Sequence, residues 1–503
     1  MRMAAHLVAG ETECMNLLGY TPASTDELAE KAPSVEGFGA PPVPPPEFGP
    51  EQGSADRMGL LTSTALVVGS IVGVGIFNLP TALAPYGPIT LVSMGLATIG
   101  ALALAWLFAS LARRMPAHGG PYGYARVAFG NRLGFANAWS YWITAWAGNA
   151  AIAVGWVLYV EVFINKGQIK IWSILLVLVG LWIPALINLS GIRNMGVFQV
   201  VTTITKFVAV AFMAIVGLFY IKSANFTPFN VSGHGAVSAV GAGMAIALFS
   251  YLGLEVAAVA AAKVRDPDRN VPRSTMLGTL ATAVVYVLSL VAVFGIVSNH
   301  ALQQSTAPFS TAVNTMFGGT AWGNVMAVVV IISGIGALNG WTMITAEMPR
   351  AAAQDRVFPE RFARLNRRGA PAWGIIVSTA LASIAMIINY LGSNGATVFT
   401  TLVLMTGITA AVPYGFSAAA QIKWRIADQK QMETPRFIRD MIVAVLAVVF
   451  SALFIYYSRN TGHSFFVYWA PFLMTAGAFL IGIPVYLRQR PKMTAPGEVR
   501  PYR

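Results

Sequence analysis

The chain has 503 residues, of which 56% are hydrophobic and only 11% charged. That balance excludes a soluble globule and points to a polytopic membrane protein. The net charge of +13 would suit a nucleic-acid partner, but its placement along the chain excludes that reading.

Twelve apolar spans are predicted, at about 59–85, 87–112, 133–163, 170–190, 197–221, 236–262, 275–298, 322–349, 371–391, 396–422, 437–458 and 464–487. Together they leave no room for a large soluble domain. Of the 33 Lys and Arg, Lys166, Lys170, Lys222 and Arg459 fall in loops on one side. Three more lie in the N-terminal tail and Lys206 lies inside a span, so the remaining 25 collect on the other side. This positive-inside asymmetry predicts an inner (plasma) membrane protein with both termini in the cytoplasm. The basic balance therefore reports topology and a lipid-bilayer partner.

Residues 1–56 are rich in Pro and Gly, cannot bury enough apolar surface to fold alone, and are expected to be a disordered cytoplasmic tail. A true start at Met58 is the alternative. The transmembrane domain is expected over 57–490, followed by a cytoplasmic tail at 491–503. Cys14 is the single cysteine, which excludes an intramolecular disulfide. The five His are scattered, with no metal-ligand spacing, no Ser/His/Asp set and no phosphate-cradling loop. Neither an enzyme nor a cofactor or metal is expected, and ATP has no place.

In chain order, span 1 carries Gly73-Val74-Gly75-Ile76-Phe77 at its centre. Two glycines there invite the helix to break, and broken backbone at membrane depth is tolerated only in a cavity or inside protein. Loop 2–3 contains Gly119-Gly120-Pro121-Tyr122-Gly123-Tyr124, a turn before a short helix. Span 3 carries Tyr141-Trp142-Ile143-Thr144-Ala145-Trp146 and Gly148-Asn149. Span 5 holds the lone intramembrane lysine in Thr202-Thr203-Ile204-Thr205-Lys206. A second break is expected in span 6 at Phe249-Ser250-Tyr251-Leu252-Gly253-Leu254-Glu255. Asp266 to Arg273, with Pro267 and Pro272, reads as a turn ending span 6. Span 8 contains Asn339-Gly340-Trp341, and loop 8–9 contains Phe358-Pro359 before Arg361-Phe362. Paired broken helices in the two halves of a chain point to the central site of a secondary transporter.

Spans 1–5 (59–221) and 6–10 (236–422) read as two repeats. Five spans in each would set the second inverted relative to the first, with spans 11 and 12 (437–487) outside that core. The expected fold class is an all-α polytopic membrane protein with twelve helices, of which 1 and 6 are broken.

The glycine run of span 1, the Gly-Gly-Pro-Tyr turn, Glu255 followed by Asn270-Val271-Pro272, and Phe358-Pro359 resemble the amino acid–polyamine–organocation (APC) transporters. The motifs occur in order from span 1 to span 10, and are most similar to the basic amino acid/polyamine antiporters. The resemblance implies the twelve-span, five-plus-five inverted-repeat fold. It also implies that a substrate α-carboxylate binds the backbone of Gly73, Val74, Gly75 and Ile76, where a helix N-terminus favours an anion. A glycine-mediated helix contact is the alternative for that stretch. By the same resemblance, Tyr141, Thr144, Ala145 and Asn149 form the span-3 wall and Phe249, with Ser250 and Leu252, the span-6 gate. Trp341 flanks the substrate side chain, and Thr406 is a candidate from span 10. The resemblance implies that Glu255 couples protonation to transport, with bracing of the broken helices as the alternative. Glu161 and Glu347 are expected near helix ends.

Lys206 departs from the arginine/agmatine exchangers but is similar to proton-coupled and broad-range members of the superfamily. There the amine sits between spans 1, 5 and 8, where sodium binds in sodium-driven relatives. It either exchanges a proton or holds span-1 carbonyls as a fixed cation, and both readings argue against sodium coupling. The leading function is exchange of a basic amino acid for a related amine or amino acid. Proton-coupled symport of neutral or broad-range amino acids is the alternative, and a membrane sensor or accessory subunit a third. Expected partners are the small-molecule substrate and the proton. Homodimers are common among similar antiporters, though no segment of this sequence displays an interface.

Overall fold

The computed structural model describes residues 58–115, 120–190, 195–259, 264–429, 432–460 and 464–494. The expected N-terminal tail, Gly119 of loop 2–3 and residues 495–503 lie outside the described residues.

Among the described residues, twelve helical segments are long and apolar enough to cross a bilayer, and they coincide with the twelve expected spans. Span 1 is split into α1 (Leu60–Ile71) and α2 (Gly75–Leu83). Span 2 is α3 (Thr90–Arg114), followed by the short α4 (Pro121–Phe129). Spans 3 to 5 are α5 (Asn131–Val160), α6 (Lys170–Leu189) and α7 (Met195–Val216). Span 6 is split into α8 (Ala236–Ala247) and the short α9 (Val256–Val259). Span 7 is α10 (Pro267–Ile296), and loop 7–8 carries α11 (Asn299–Gln304) and α12 (Pro308–Phe317). Spans 8 to 10 are α13 (Ala321–Gln354), α14 (Ala372–Gly392) and α15 (Gly395–Ala427). Spans 11 and 12 are α16 (Thr434–Tyr457) and α17 (Phe465–Gln489).

Two local expectations are corrected. Asp266 to Arg273 is not a turn that closes span 6: Asp266 caps α10, and residues from Pro267 onward are its first turns. Pro267 at the helix start loses no bond, because its missing N–H would be unpaired there in any case, whereas Pro272 lies inside the helix and forgoes one. Loop 7–8, unassigned from the sequence, folds into α11 and α12, the first capped by the Ser298 hydroxyl accepting from the Ala301 amide.

The core is built on α5 and α15, the most extensively paired helices. In its most apolar stretch, α5 is 94% buried, against 17% for span 12. An apolar helix buried on all sides belongs at the centre of the bundle, and one exposed on most sides faces lipid. The two breaks lie against each other. Gly253 adopts φ +101°, a region that L side chains avoid, and an added Cβ would lie 2.9 Å from the Ser70 carbonyl oxygen.

Two clusters of side chains join helices across the bundle. At one, the Tyr159 hydroxyl donates to the Phe77 carbonyl (2.8 Å), and Phe77 packs edge-on against Phe309 of α12. At the other, Arg126 of α4 pairs with Asp355 at the end of α13 (2.8 Å) and also donates to Thr494 beyond α17. Phe358 packs there among Phe135, Trp139, Trp142 and Phe362.

Gly253→Ala is expected to destabilise the protein by about 1–3 kcal/mol through backbone strain and contact with α1. A melting temperature of purified protein equal to wild type would contradict that close approach.

Candidate substrate site

At the span-1 break, α1 ends with carbonyls lacking helical partners and α2 begins with amides lacking them. Val72 is extended (φ −71°, ψ 93°), and helix resumes at Gly75. The α1 carbonyls are served from other helices. The Lys206 amine of α7 donates to Gly69 O, and the Tyr286 hydroxyl of α10 donates to Ile71 O (2.9 Å). Both side chains are fully buried. In span 6, Leu248 to Tyr251 tighten into a 3-10 turn, Leu252 is extended, and Gly253 turns the chain towards α9.

A cavity lies between the breaks, lined by Ile71, Gly73, Gly75, Phe249, Ser250 and Trp341 among others. It has room for about one water. The Phe249 ring covers Gly75 so closely that an added Cβ would meet it at 2.7 Å. The same ring stands edge-on to Phe399 of α15, 6.1 Å between centroids. The Ser250 hydroxyl borders the cavity, is buried, and has no hydrogen-bond partner among the described residues.

The sequence-derived candidates separate into two layers. Gly73, Gly75, Ile76, Phe249, Ser250, Leu252 and Trp341 line the cavity. Val74, Tyr141, Thr144, Ala145, Asn149 and Thr406 are buried but are not among its lining residues. Val74 packs towards Gly334 of α13, and Thr144 donates to Thr409 (3.0 Å). Thr406 donates to Leu402 O (2.6 Å), and its methyl lies next to Gly148. Asn149 donates to the Thr342 hydroxyl (3.2 Å), leaving its own amide oxygen unpaired among the described residues. Ser70, Ile71, Gly148 and Ile152 complete the lining without having been singled out as site residues.

Glu255 is fully buried beneath the span-6 break. One carboxylate oxygen accepts from Tyr141 (2.8 Å); the other accepts from Tyr414 of α15 (2.9 Å) and from the Gly253 amide (3.2 Å). Three donors thus tie α5, α15 and span 6 to one carboxylate, which is the bracing geometry. Tyr414 was missed from sequence; a phenol beside Pro413 in an otherwise apolar span was the available signal. Glu161 caps α5 and is buried, accepting from Asn165 (3.0 Å) and Ser173. Glu347 pairs with Arg350 near the end of α13 (3.0 Å).

Two discontinuous helices enclosing a polar-edged cavity within a twelve-helix bundle define a secondary transporter architecture. The family model for amino acid permeases matches residues 58–481, and the chain belongs to that family. Among its relatives, the putrescine transporter PotE of Escherichia coli strain K12 is 31% identical over 372 residues, covering 74% of this chain and 84% of the relative. The arginine/ornithine antiporter of Pseudomonas aeruginosa is 29% identical over 421 residues, 80% of this chain and 87% of the relative. The cadaverine/lysine antiporter of Escherichia coli strain K12 is 27% identical over 380 residues, 74% and 84% respectively.

Tyr414→Phe removes a bond to a buried carboxylate and is expected to cost about 1.5–3 kcal/mol. Thermal unfolding of the purified variant checks this, and an unchanged midpoint would show that the bond contributes no net stability.

Proposed function

We propose that this permease is a secondary antiporter that exchanges a basic amino acid for a related amine or amino acid by alternating access. The carrying observation is the cavity bounded by both helix breaks, with an aromatic side chain from α13 beside it. The names of the relatives, each for a polyamine or a basic amino acid, support that substrate class.

In this reading the α-carboxylate binds the amides of Gly73, Val74, Gly75 and Ile76 at the positive end of α2. The α-ammonium meets carbonyls at the negative end of α1. Trp341 presents its ring to a cationic side chain, an attraction of about 0.5–2 kcal/mol. No acid is among the lining residues, so a side-chain charge would be recognised by the aromatic face and by uncharged polar groups. The Ser250 hydroxyl, which borders the cavity, supplies an unpaired polar atom for this.

Phe249 acts as the gate. Seating an amino acid requires its ring to leave Gly75, because the present cavity holds about one water. Beyond it, the Tyr141–Glu255–Tyr414 cluster and the Arg126–Asp355 pair close one path, and the Phe77–Phe309 contact closes the other. Protonation of Glu255 would weaken its hold on α5 and α15 and so link proton binding to opening. Both termini lie in the cytoplasm in this proposal, following the Lys and Arg asymmetry.

The buried Lys206 amine favours a second reading, proton-coupled symport of neutral or broad-range amino acids. Its bond to Gly69 O joins a proton-carrying group to the helix whose end borders the substrate.

Proteoliposomes holding the purified protein separate the two. Arginine uptake that requires internal arginine, agmatine or putrescine, with or without a pH gradient, is the expected outcome. Uptake into empty vesicles driven by an inward proton gradient would replace exchange with symport. In the same assay Trp341→Ala should weaken arginine half-saturation tenfold or more while Trp146→Ala changes it little; equal effects would reduce Trp341 to packing. Glu255→Gln should abolish the pH dependence of exchange while protein still reaches the membrane, and retained pH dependence would assign Glu255 to bracing alone.

A further inference from the structure

The ring that covers the site lies between two glycines. At Gly75 of α2 an added Cβ would strike Cε1 of Phe249 at 2.7 Å. At Gly148 of α5 it would meet Cε2, on the opposite edge of the same ring, at 4.0 Å and the Thr406 methyl at 3.5 Å. The first is a clash and the other two are ordinary contacts. Gly148 lines the cavity from the middle of α5, and Ile152 lines it one turn further along the same face.

The helices on either side of this wall are tied together next to it. The Asn149 amide donates to the Thr342 hydroxyl at 3.2 Å, and that hydroxyl donates to Leu338 O at 2.7 Å. The bond joins α5 to α13 where Gly148 and Trp341, each one residue before a bonded partner, border the cavity. The distance across the cavity from Trp341 to the α5 wall is thereby held, and the missing side chain at Gly148 adds depth to it.

In the proposed binding mode both α-groups of the substrate sit at the span-1 break, around Gly73 to Ile76. The side chain then extends away from span 1 into the space that Phe249 vacates, and Gly148 stands at the far edge of that space. Packed interiors yield little when atoms are added, so a methyl there shortens the room instead of moving the wall.

We propose that Gly148 sets the length of substrate side chain that the site accepts. The inference rests on the proposed anchoring of the substrate's α-amino and α-carboxylate groups at the span-1 break. A short side chain ends before it reaches α5, whereas a long one needs the depth that glycine leaves. A glycine that served helix packing alone would affect both kinds of ligand alike.

The test compares Gly148→Ala with wild type in proteoliposomes, measuring half-saturation for arginine and for ornithine, which shares the α-groups and is shorter at the tip. The arginine value should rise about tenfold or more, the effect of one methyl group in a filled pocket, and the ornithine value less than about threefold. The purified variant should melt at or above the wild-type temperature, because alanine is the better helix former and meets no clash here. Gly407→Ala is the second variant: its added methyl has similar clearance, 3.6 Å from Ala245 O, on a buried face of α15 that does not line the cavity. It should leave the arginine-to-ornithine ratio as in wild type. Equal shifts for both ligands, no shift in Gly148→Ala, or the same ratio change in Gly407→Ala would overturn the proposal. If wild type carries neutral amino acids, leucine and alanine replace the pair. Failure of the basic-substrate reading is then seen in wild type alone, and failure of this one only in the ratio.

Discussion

Backbone that leaves helical geometry inside a bilayer has no water to bond, and this constraint organises the structure. Spans 1 and 6 both leave the helix at mid-depth, and each freed group must find a partner within the protein or be presented to a ligand. The partners come from helices distant in sequence. Lys206 serves Gly69 from α7, Tyr286 serves Ile71 from α10, and Glu255 binds the Gly253 amide within the second break. The polar side chains buried around the breaks thus serve both fold and site.

Glycines decide how close the breaks come. Gly253 takes a left-handed backbone against Ser70, and Gly75 lies under the Phe249 ring. At both places a methyl group would collide with its neighbour, so the compactness of the centre depends on side chains that are missing. In this structure Phe249 covers Gly75, with little packed space between.

Much of the architecture was readable along the chain, because bilayer thickness translates into span length. The glycine breaks were readable for a related reason, since glycine in an apolar span stands out. Side-chain partnerships across the bundle were not. Tyr414 and Tyr286 look like ordinary aromatic residues in apolar helices, and only the packing brings one to Glu255 and the other to Ile71. The first turns of α10 were misread because two prolines resemble a loop when the helix start beneath them is unknown.

The sequence by itself determined that the described residues hold twelve segments long and apolar enough to cross a bilayer, and that spans 1 and 6 are the interrupted ones. These follow from composition and local pattern, which act over a helix length or less. Only the tertiary structure decided which candidates border the cavity and which stand behind it, separating Gly75, Phe249 and Trp341 from Asn149, Thr144 and Thr406. It also decided which side chains hold the broken backbone. Those are long-range matters of rotation and register between helices, set by how residues far apart in the chain pack together, and no local pattern carries them.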